Sequence, residues 1–262
     1  MNKNNYHTHT TRCFHAIGKD EEYVKAAIQA NIKELGFSDH TPWHYDSSFK
    51  ASMRMPECQL DDYIESIRYL KEKYKDQISI LIGLECEYFE RYMPWLEKML
   101  EDKKNIKDIL QTDELHQYFG SPVNEYYLKA YVDHCIQAID TGLYSYIAHP
   151  DLVYYDPDSK LYQEEMSRLC AYAKEKDMPL EFNLLGFMSG RHYPNESFWK
   201  IASKYKNKAI IGFDAHSPDA LLKDDIYQQA FNYLSSLDVE LIDTIKTLKN
   251  KDNVLTKKLS RI

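Results

Sequence analysis

Glycine is scarce in this sequence, with only eight copies among 262 residues. Neither the G-x-G-x-x-G of dinucleotide-binding proteins nor the G-K-[ST] of a P-loop occurs, which argues against a glycine-rich phosphate-binding loop. No apolar run approaches the roughly 20 residues of a membrane-spanning helix. Residues 2–5 are polar and do not resemble a secretory signal. We therefore expect a cytoplasmic protein that does not bind membranes.

Positive charge is also in short supply, because 33 basic residues face 41 acidic ones and the formal net charge is -8. An acidic chain binds nucleic acid poorly, so we expect no nucleic-acid partner. The five cysteines are scattered and form no C-x-x-C pair, which argues against both a disulfide framework and a zinc ribbon. We expect reduced thiols that mostly pack in the core, with Cys13 and Cys86 adjoining the polar motifs described below.

Short apolar runs alternate with longer amphipathic stretches along the whole chain. The predicted strands are near residues 4–9, 36–40, 78–89, 106–112, 144–150, 178–186 and 208–217. The predicted helices are near residues 20–35, 59–75, 94–104, 124–142, 161–177, 196–206 and 218–234. Strict alternation favours a parallel sheet, and about seven strand–helix units suit a closed α/β barrel. We predict one domain over residues 1–262, with a doubly wound open sheet as the alternative fold.

Histidines are concentrated where the predicted strands end. His7 and His9 close the first strand, and His40 closes the second. His149 closes "YSYIAHP", and His216 closes "AIIGFDAHS". Because the carboxyl ends of barrel strands converge on one face, we expect these histidines to meet in space although they are far apart in the sequence.

A spacing of two residues strengthens this expectation, because residues i and i+2 of a strand point to the same side. The first strand carries H-x-H, the last carries D-x-H at Asp214 and His216, and "GLECEY" carries Glu85 and Glu87. Imidazole and carboxylate groups are the usual ligands of zinc, manganese and iron. The pattern predicts a metal site at the strand ends.

The motifs "YHTHT", "GFSDHTPW", "GLECEY", "YIAHPDL" and "GFDAHSP", together with His15 and His116, occur in the order typical of one family. The chain resembles the polymerase and histidinol phosphatase (PHP) family over nearly its whole length. The resemblance implies a distorted (β/α)7 TIM-like barrel with three divalent metal ions at the strand ends, zinc with manganese or iron as alternatives. The activity it implies is hydrolysis of L-histidinol phosphate to L-histidinol and phosphate in histidine biosynthesis.

The family pattern also assigns nine metal ligands. By resemblance, the three ions are assigned to His7, His9, Glu85 and Asp214, to His15, His40 and His216, and to Glu85, His116 and His149. One position departs from the pattern: His116 follows the polar "QTDEL", where family members carry small apolar residues.

Three divalent ions and two carboxylates leave a formal charge of about +4, which suits a phosphate dianion on an acidic protein. We expect a hydroxide shared between metals to attack phosphorus in line while the metals stabilise the transition state. Asp214 and Glu85 are the candidate catalytic carboxylates, with Asp214 as the candidate proton acceptor. Lys160 and Arg191 follow the fifth and sixth predicted strands and are candidates for binding the substrate phosphate.

Other polar residues receive structural interpretations. His44, His134 and His192 are predicted to be packed or exposed rather than ligating. Glu87 is predicted to be a partner of ligands or an ion-pair residue. Asp39 alternates with a ligand and is predicted to point away from the metals and to hydrogen-bond backbone.

Three functional alternatives stay open. The substrate of the phosphatase could be another small phosphate monoester or a nucleotide. An amidohydrolase-like barrel also begins with H-x-H but usually supplies a bridging lysine from a middle strand, and no lysine here closes one. The third alternative is a metal-binding barrel without catalysis. The sequence predicts a small-molecule partner and makes no prediction about the oligomeric state.

Overall fold

Parallel strands and amphipathic helices alternate in the computed structural model, which describes residues 2–46, 48–102, 108–112 and 119–247. The strands are β1 (Glu34–His40), β2 (Ser79–Glu87), β3 (Asp108–Thr112), β4 (Leu180–Asn183), β5 (Lys208–Gly212) and β6 (Glu240–Leu241). The helices are α1 (Asp20–Gln29), α2 (Leu60–Lys73), α3 (Met93–Asp102), α4 (Glu125–Thr141), α5 (Lys160–Glu175), α6 (Leu184–Met188), α7 (Glu196–Lys204) and α8 (Asp224–Ser235).

Helix boundaries follow local capping chemistry. The Asn124 side chain accepts a hydrogen bond from the Tyr127 amide and begins α4, and the Ser159 hydroxyl accepts one from the Tyr162 amide and begins α5. Such side chains satisfy amides that have no partner within the helix. Helix α4 ends at Thr141, and the Gly142 that follows has a left-handed φ of 70°, which suits a residue without Cβ.

The strands form two three-stranded parallel sheets, in the orders β1-β2-β3 and β4-β5-β6. The N-terminal segment 5–9 lies between them. On one side, the Gly36 amide donates to the Asn5 carbonyl over 2.7 Å. On the other side, the His9 amide donates to the Ala215 carbonyl over 3.0 Å. This segment therefore joins the two sheets.

A second short segment, 144–149, lies beside β4. The Ile147 amide donates to the Pro179 carbonyl, and the Glu181 amide donates to the Ile147 carbonyl, over 3.0 and 2.9 Å. The strand order is thus β3, β2, β1, segment 5–9, β5, β4 and segment 144–149, and β6 pairs with the beginning of β5 through Lys208 and Ala209. The α/β class and the parallel arrangement are confirmed. Within the described ranges, no pairing links β3 to segment 144–149.

Several predicted boundaries were wrong. Segments 4–9 and 144–150 make single bridges rather than continuous ladders. Helix α1 ends at Gln29, not near residue 35, because Asn31 adopts a left-handed φ of 57°. Gly36 consequently lies inside β1, where an added Cβ would come within 3.0 Å of Tyr6 Cα. A glycine directly after a predicted helix usually ends that helix, but the role of Gly36 is close backbone packing.

The core lies between the strands and the surrounding helices. In α2, the buried residues are spaced three or four apart and so form one face: Leu60, Tyr63, Ile64, Ile67 and Leu70. Behind β4, the ring of Phe182 packs 5.3 Å from that of Trp199 in α7. None of the helices in the described part of the chain is long and apolar enough to cross a membrane.

Candidate metal centre

Eight of the nine predicted ligands come together at one end of the parallel strands. They lie at the ends of β1, β2 and β5 and in segments 5–9 and 144–149, and His15 follows the first segment. We call this group the histidine–carboxylate cluster: His7, His9, His15, His40, Glu85, His149, Asp214 and His216. The ninth, His116, lies outside the described residues.

Glu85 occupies the centre of this cluster. Its Oε1 lies 2.9 Å from His149 Nε2 and 3.6 Å from His7 Nε2. Its Oε2 lies 2.8 Å from His40 Nδ1 and 3.4 Å from His9 Nε2. The two oxygens thus face two different pairs of imidazoles, which is the arrangement needed for one carboxylate to bridge two cations.

Asp214 is the second carboxylate of the cluster. Its Oδ1 lies 3.2 Å from His9 Nε2, 3.5 Å from His7 Nε2 and 3.3 Å from His216 Nδ1. Beyond it, His216 Nε2 lies 2.9 Å from Nε2 of His15, whose side chain is exposed. The cluster therefore runs from a buried interior at His7 to the protein surface at His15.

Buried polar atoms without partners test whether this cluster suits metal ions. Within the described residues, these cluster atoms are buried and form no hydrogen bond with suitable angles, although His40 Nδ1 and Glu85 Oε2 lie 2.8 Å apart: His7 Nε2, His9 Nδ1 and Nε2, His40 Nδ1, Glu85 Oε2, His149 Nδ1 and Asp214 Oδ1. Buried polar atoms nearly always have partners, so their concentration here indicates a cluster suited to binding a ligand. A mixed set of nitrogen and oxygen donors fits Zn, Mn or Fe.

Three groups of cluster residues bring their ligand atoms within 4.8 Å of one another: His7 with His9 and Asp214, His7 with Glu85 and His149, and His9 with His40 and His216. A further group joins Cys13 to His15 and His216. The first group lies within the set that the family resemblance assigns to one ion. The second and third groups combine residues from two assigned sets. In the fourth group, both histidines belong to one assigned set and Cys13 is an additional neighbour.

The carboxylates of the cluster are held in their charged form. Burial alone would raise the pKa of Glu85, but His40 and His7 outweigh it and lower that pKa well below its usual range. The pKa of Asp214 is lowered well below its usual range in the same way, because His7 and His9 outweigh burial. Ionised carboxylates supply the negative charge that a divalent cation requires.

The Cys13 thiol has an unusual environment. Burial alone would raise its pKa, but the neighbouring imidazoles of His15, His216 and His9 lower it to about 4. All five cysteines are free thiols, as predicted, and four of them are buried. Cys13 differs from Cys86, whose pKa burial raises.

Two cluster residues have unusual backbone conformations. Asp214 has a φ of 50° and His149 a φ of 66°, both in the left-handed region that few non-glycine residues adopt. Such conformations cost on the order of 1–3 kcal/mol and concentrate at functional sites. In both cases the turn comes where the strand gives way to a loop and the side chain enters the cluster.

Sequence reasoning missed two residues of β4. Glu181 Oε1 lies 2.8 Å from His7 Nδ1, and the Asn183 amide donates to Glu181 Oε2 and to Asp214 Oδ2 over 3.1 and 3.2 Å. Both side chains are fully buried. The signal was present in "LEFN": two polar residues separated by one position on an otherwise apolar strand.

The prediction that Asp39 hydrogen-bonds backbone is confirmed, whereas the prediction that it points away from the cluster is wrong. Its carboxylate accepts hydrogen bonds from the backbone amides of Thr10 and His40, over 3.1 and 2.8 Å. It also lies 3.5 Å from His9 Nδ1. It is thus a neighbour of the cluster as well as a partner of the backbone.

The two predicted phosphate-binding residues are placed differently. Arg191 donates to the Tyr193 hydroxyl over 2.5 Å, and the Tyr193 ring lies 6.0 Å from the ring of His149. The side chain of Tyr193 therefore links Arg191 to the cluster at His149. Lys160 is the first residue of α5, is 90% exposed and pairs with Glu164 on the same helix.

The three remaining histidines have other partners. His44 forms an exposed ion pair with Glu57, at 2.8 Å. The His192 ring stacks on Tyr154 with centroids 4.4 Å apart, and that of His134 lies 6.2 Å from Tyr88. None of these contacts involves the cluster, in line with the structural interpretation of these histidines.

Glu87 is an ion-pair residue, one of the two roles predicted for it. Arg54 forms two hydrogen bonds to its carboxylate, and the Trp43 indole donates to Glu87 Oε2 over 2.8 Å. Arg54 also donates to the Thr41 carbonyl over 3.0 Å. The buried pair therefore fixes the chain immediately after His40.

Replacing Arg54 with methionine should destabilise the protein strongly. The change leaves the Glu87 carboxylate buried without its cation, which costs about 3–5 kcal/mol. As a control, Arg168→Met removes a half-exposed arginine from its pairs with Asp133 and Glu165 and should cost about 0–1 kcal/mol. Urea denaturation measures both. Equal losses for the two variants would contradict the account of the buried pair.

Parallel strands that end in a buried cluster of histidines and carboxylates define an α/β protein with a candidate multinuclear metal site. Sequence comparison agrees with this class: a family model described as "PHP domain" matches residues 5–184, more than half of the chain. The chain belongs to the PHP domain family.

Curated relatives and a solved structure extend the comparison. The chain is 26% identical over 254 residues to the histidinol-phosphatase of Bacillus subtilis, covering 82% of this chain and 94% of the relative. It is 24% identical over 241 residues to the probable histidinol-phosphatase of Deinococcus radiodurans, covering 81% and 85%. The histidinol phosphate phosphatase of Lactococcus lactis, solved with zinc, L-histidinol and phosphate, superposes with a TM-score of 0.70 at 18% identity, covering 93% of this chain and 97% of that one. This last likeness concerns the fold.

Proposed function

We propose that the protein is a metal-dependent phosphomonoesterase that hydrolyses L-histidinol phosphate to L-histidinol and phosphate, a step of histidine biosynthesis. The observation that carries the proposal is the buried histidine–carboxylate cluster, whose unpartnered nitrogen and oxygen atoms suit divalent cations. Membership of the PHP domain family supports hydrolytic metal chemistry. The names of the Bacillus and Deinococcus relatives support the substrate.

We also propose that residues 1–262 form one domain, a distorted (β/α)7 barrel. The support is the strand order, in which segment 5–9 lies between β1 and the end of β5. Segment 5–9 is the first of the seven predicted strands. It thus neighbours both the second predicted strand, which is β1, and the last, which is β5. This is the neighbour relation of a closed barrel, which a doubly wound open sheet lacks.

The metal ions are proposed to be zinc, with manganese or iron as alternatives, and three in number. His7, His9, Glu85 and Asp214 would hold one, His15, His40 and His216 a second, and Glu85, His116 and His149 a third. When bound, divalent ions supply Lewis acidity for the phosphoryl oxygens and activate water at neutral pH. Glu85 would bridge the first and third of these sites, because it contacts His7 and His9 of the first set and His149 of the third.

Asp214 is the proposed proton acceptor. Its Oδ1 is buried, forms no hydrogen bond among the described residues and faces three histidines. Its Oδ2 is held by the Asn183 amide, so the direction of Oδ1, the oxygen available to a metal ion, is fixed. Asp214 would accept the proton of the attacking water next to that ion and pass it to the leaving alkoxide.

Substrate phosphate is proposed to be bound by Arg191 and Lys160, with Arg191 the stronger candidate because its partner Tyr193 neighbours His149. Arg191→Ala should raise KM for histidinol phosphate about 10-fold with little change in kcat, since a charge-assisted hydrogen bond is lost. Lys160→Ala should have a smaller effect. The control is Lys200→Ala, which removes a lysine paired with Glu196 on the surface. A wild-type KM in Arg191→Ala would exclude that residue.

The substrate is tested by measuring phosphate release from L-histidinol phosphate, an aryl phosphate and a nucleoside monophosphate under identical conditions. We expect kcat/KM for histidinol phosphate to exceed the others at least about 100-fold, because a fitted site discriminates by several hydrogen bonds. Equal, slow hydrolysis of all three would support phosphoesterase activity but contradict L-histidinol phosphate as the substrate. Metal binding without hydrolysis would favour a non-catalytic barrel.

Cytoplasmic location and the absence of a nucleic-acid partner stay predictions.

A further inference from the structure

We infer that Glu181 and Asn183, on β4, are positioning residues that orient two metal ligands, His7 and Asp214. The inference rests on the proposed metal site and goes beyond it, because β4 itself supplies no ligand to the proposed set. The observations that carry it are the hydrogen bonds of these two buried side chains and the space that Gly212 leaves for one of them.

The first contact determines which nitrogen of His7 is free. The Glu181 carboxylate accepts a hydrogen bond at Nδ1 of His7 over 2.8 Å, and neither side chain is exposed to solvent. With the proton on Nδ1, the lone pair of a neutral imidazole is at Nε2. That nitrogen lies 3.6 Å from Glu85 and 3.5 Å from Asp214. A carboxylate behind a ligating histidine fixes its tautomer and ring orientation and raises its basicity.

The second contact couples Glu181 to Asp214. Asn183 Oδ1 accepts a hydrogen bond from the Gly186 amide over 2.9 Å, so its Nδ2 must face the opposite side. From there Nδ2 donates to Glu181 Oε2 and to Asp214 Oδ2, over 3.1 and 3.2 Å. One amide thus holds the carboxylate behind His7 and the carboxylate of a proposed ligand.

Gly212 makes room for this arrangement. A Cβ built on Gly212 would lie 1.7 Å from Glu181 Oε1, the atom that contacts His7. Any larger residue at position 212 must displace the Glu181 carboxylate. Glycine is therefore required here by a close side-chain approach within the β4–β5 pair, where Asn183 is the registered neighbour of Gly212.

The experiment measures zinc affinity of the full chain by competition with a chromophoric chelator, after metal removal and reconstitution. In Glu181→Gln the tightest affinity should fall about 10–100-fold, the usual cost of losing such a partner of a ligand. Gly212→Ala should cause a comparable loss without changing any polar group. Glu34→Gln is the control: its carboxylate accepts from Tyr6 and Ser79 at the opposite end of β1, so zinc affinity should be unchanged.

A second measurement needs no variant. Nitrogen-15 spectra of the histidine side chains in zinc-loaded wild-type protein should show His7 protonated at Nδ1. A purely structural role for Glu181 would change the melting temperature of the metal-free protein without changing either readout.

The outcomes separate this inference from the proposed function. Wild-type zinc affinity in Glu181→Gln and in Gly212→Ala would overturn the positioning role and leave the metal site standing. If Glu181→Gln does not fold, Gly212→Ala and the protonation state of His7 decide, and a proton on Nε2 overturns the inference. Wild-type protein that binds no zinc would overturn the proposed function, and this inference with it.

Discussion

Replacing Asp214 with asparagine should reduce turnover of L-histidinol phosphate on the order of 10³-fold, the range associated with losing a proton-transfer group. Asparagine matches aspartate in shape but carries no charge and accepts no proton. It also removes a negative charge that faces His7, His9 and His216. His9→Ala should have a similar effect on turnover, because His9 contacts both carboxylates of the cluster. Steady-state kinetics of phosphate release measures both.

The matched control is Asp219→Asn, which removes the charge of an exposed aspartate five positions further along, in the 3-10 helix Pro218–Leu222. It should retain wild-type kcat/KM. Circular dichroism should show an unchanged fold in all three variants. Near-wild-type turnover in both Asp214→Asn and His9→Ala would remove the cluster from the reaction.

Replacing Glu85 with glutamine should have the largest effect on metal content. Its two oxygens face His149 and His7 on one side and His40 and His9 on the other. A neutral amide cannot bridge two cations, since it presents one oxygen and one NH2 group. We therefore expect the loss of more than one metal ion per chain and no measurable turnover, whereas Asp214→Asn should retain more metal.

Elemental analysis of the purified variants, beside Glu34→Gln as a strand-borne control, measures this difference. A Glu85→Gln protein that keeps the metal content of wild type would show that Glu85 does not bridge. A loss limited to one ion would assign Glu85 to a single site. Either result would require the ligand sets to be redrawn.

Much of the cluster could be predicted from the sequence because its residues follow the period of a strand. H-x-H in segment 5–9 and D-x-H after β5 are visible as pairs, and a parallel sheet places strand ends on the same side. The ends of β1 and β2 follow the same rule: His40 is the registered neighbour of Glu85. Contacts between such residues are implied by topology alone.

The positioning residues were harder to find, because in the sequence Glu181 and Asn183 look like ordinary polar residues of a strand until their partners are known. Their partners come from segment 5–9 and from β5, so only the three-dimensional arrangement reveals the link. The same strand also ended earlier than predicted. The Asn183 side chain caps α6, and this local hydrogen bond overrides the apolar continuation "LLG".

The ends of helices and strands were least predictable where a single residue changes the backbone conformation. Asn31, with a left-handed φ of 57°, reverses the chain between the end of α1 and the start of β1. From the sequence, Gly36, five positions later, had the features of a helix terminus. Gly36 instead packs closely on the backbone of Tyr6, where an added Cβ would lie 3.0 Å from Tyr6 Cα. At Gly36, tertiary packing rather than helix termination accounts for the glycine.

The most direct test of the central claim is to measure metal content and histidinol phosphate hydrolysis on one preparation, before chelation, after chelation and after adding back zinc or manganese. The account predicts two to three divalent ions per chain, loss of hydrolysis when they are removed and recovery when they are restored. Hydrolysis that persists in metal-free protein would contradict it. So would a purified chain that neither contains nor takes up divalent metal, because the buried histidine–carboxylate cluster would then have another role.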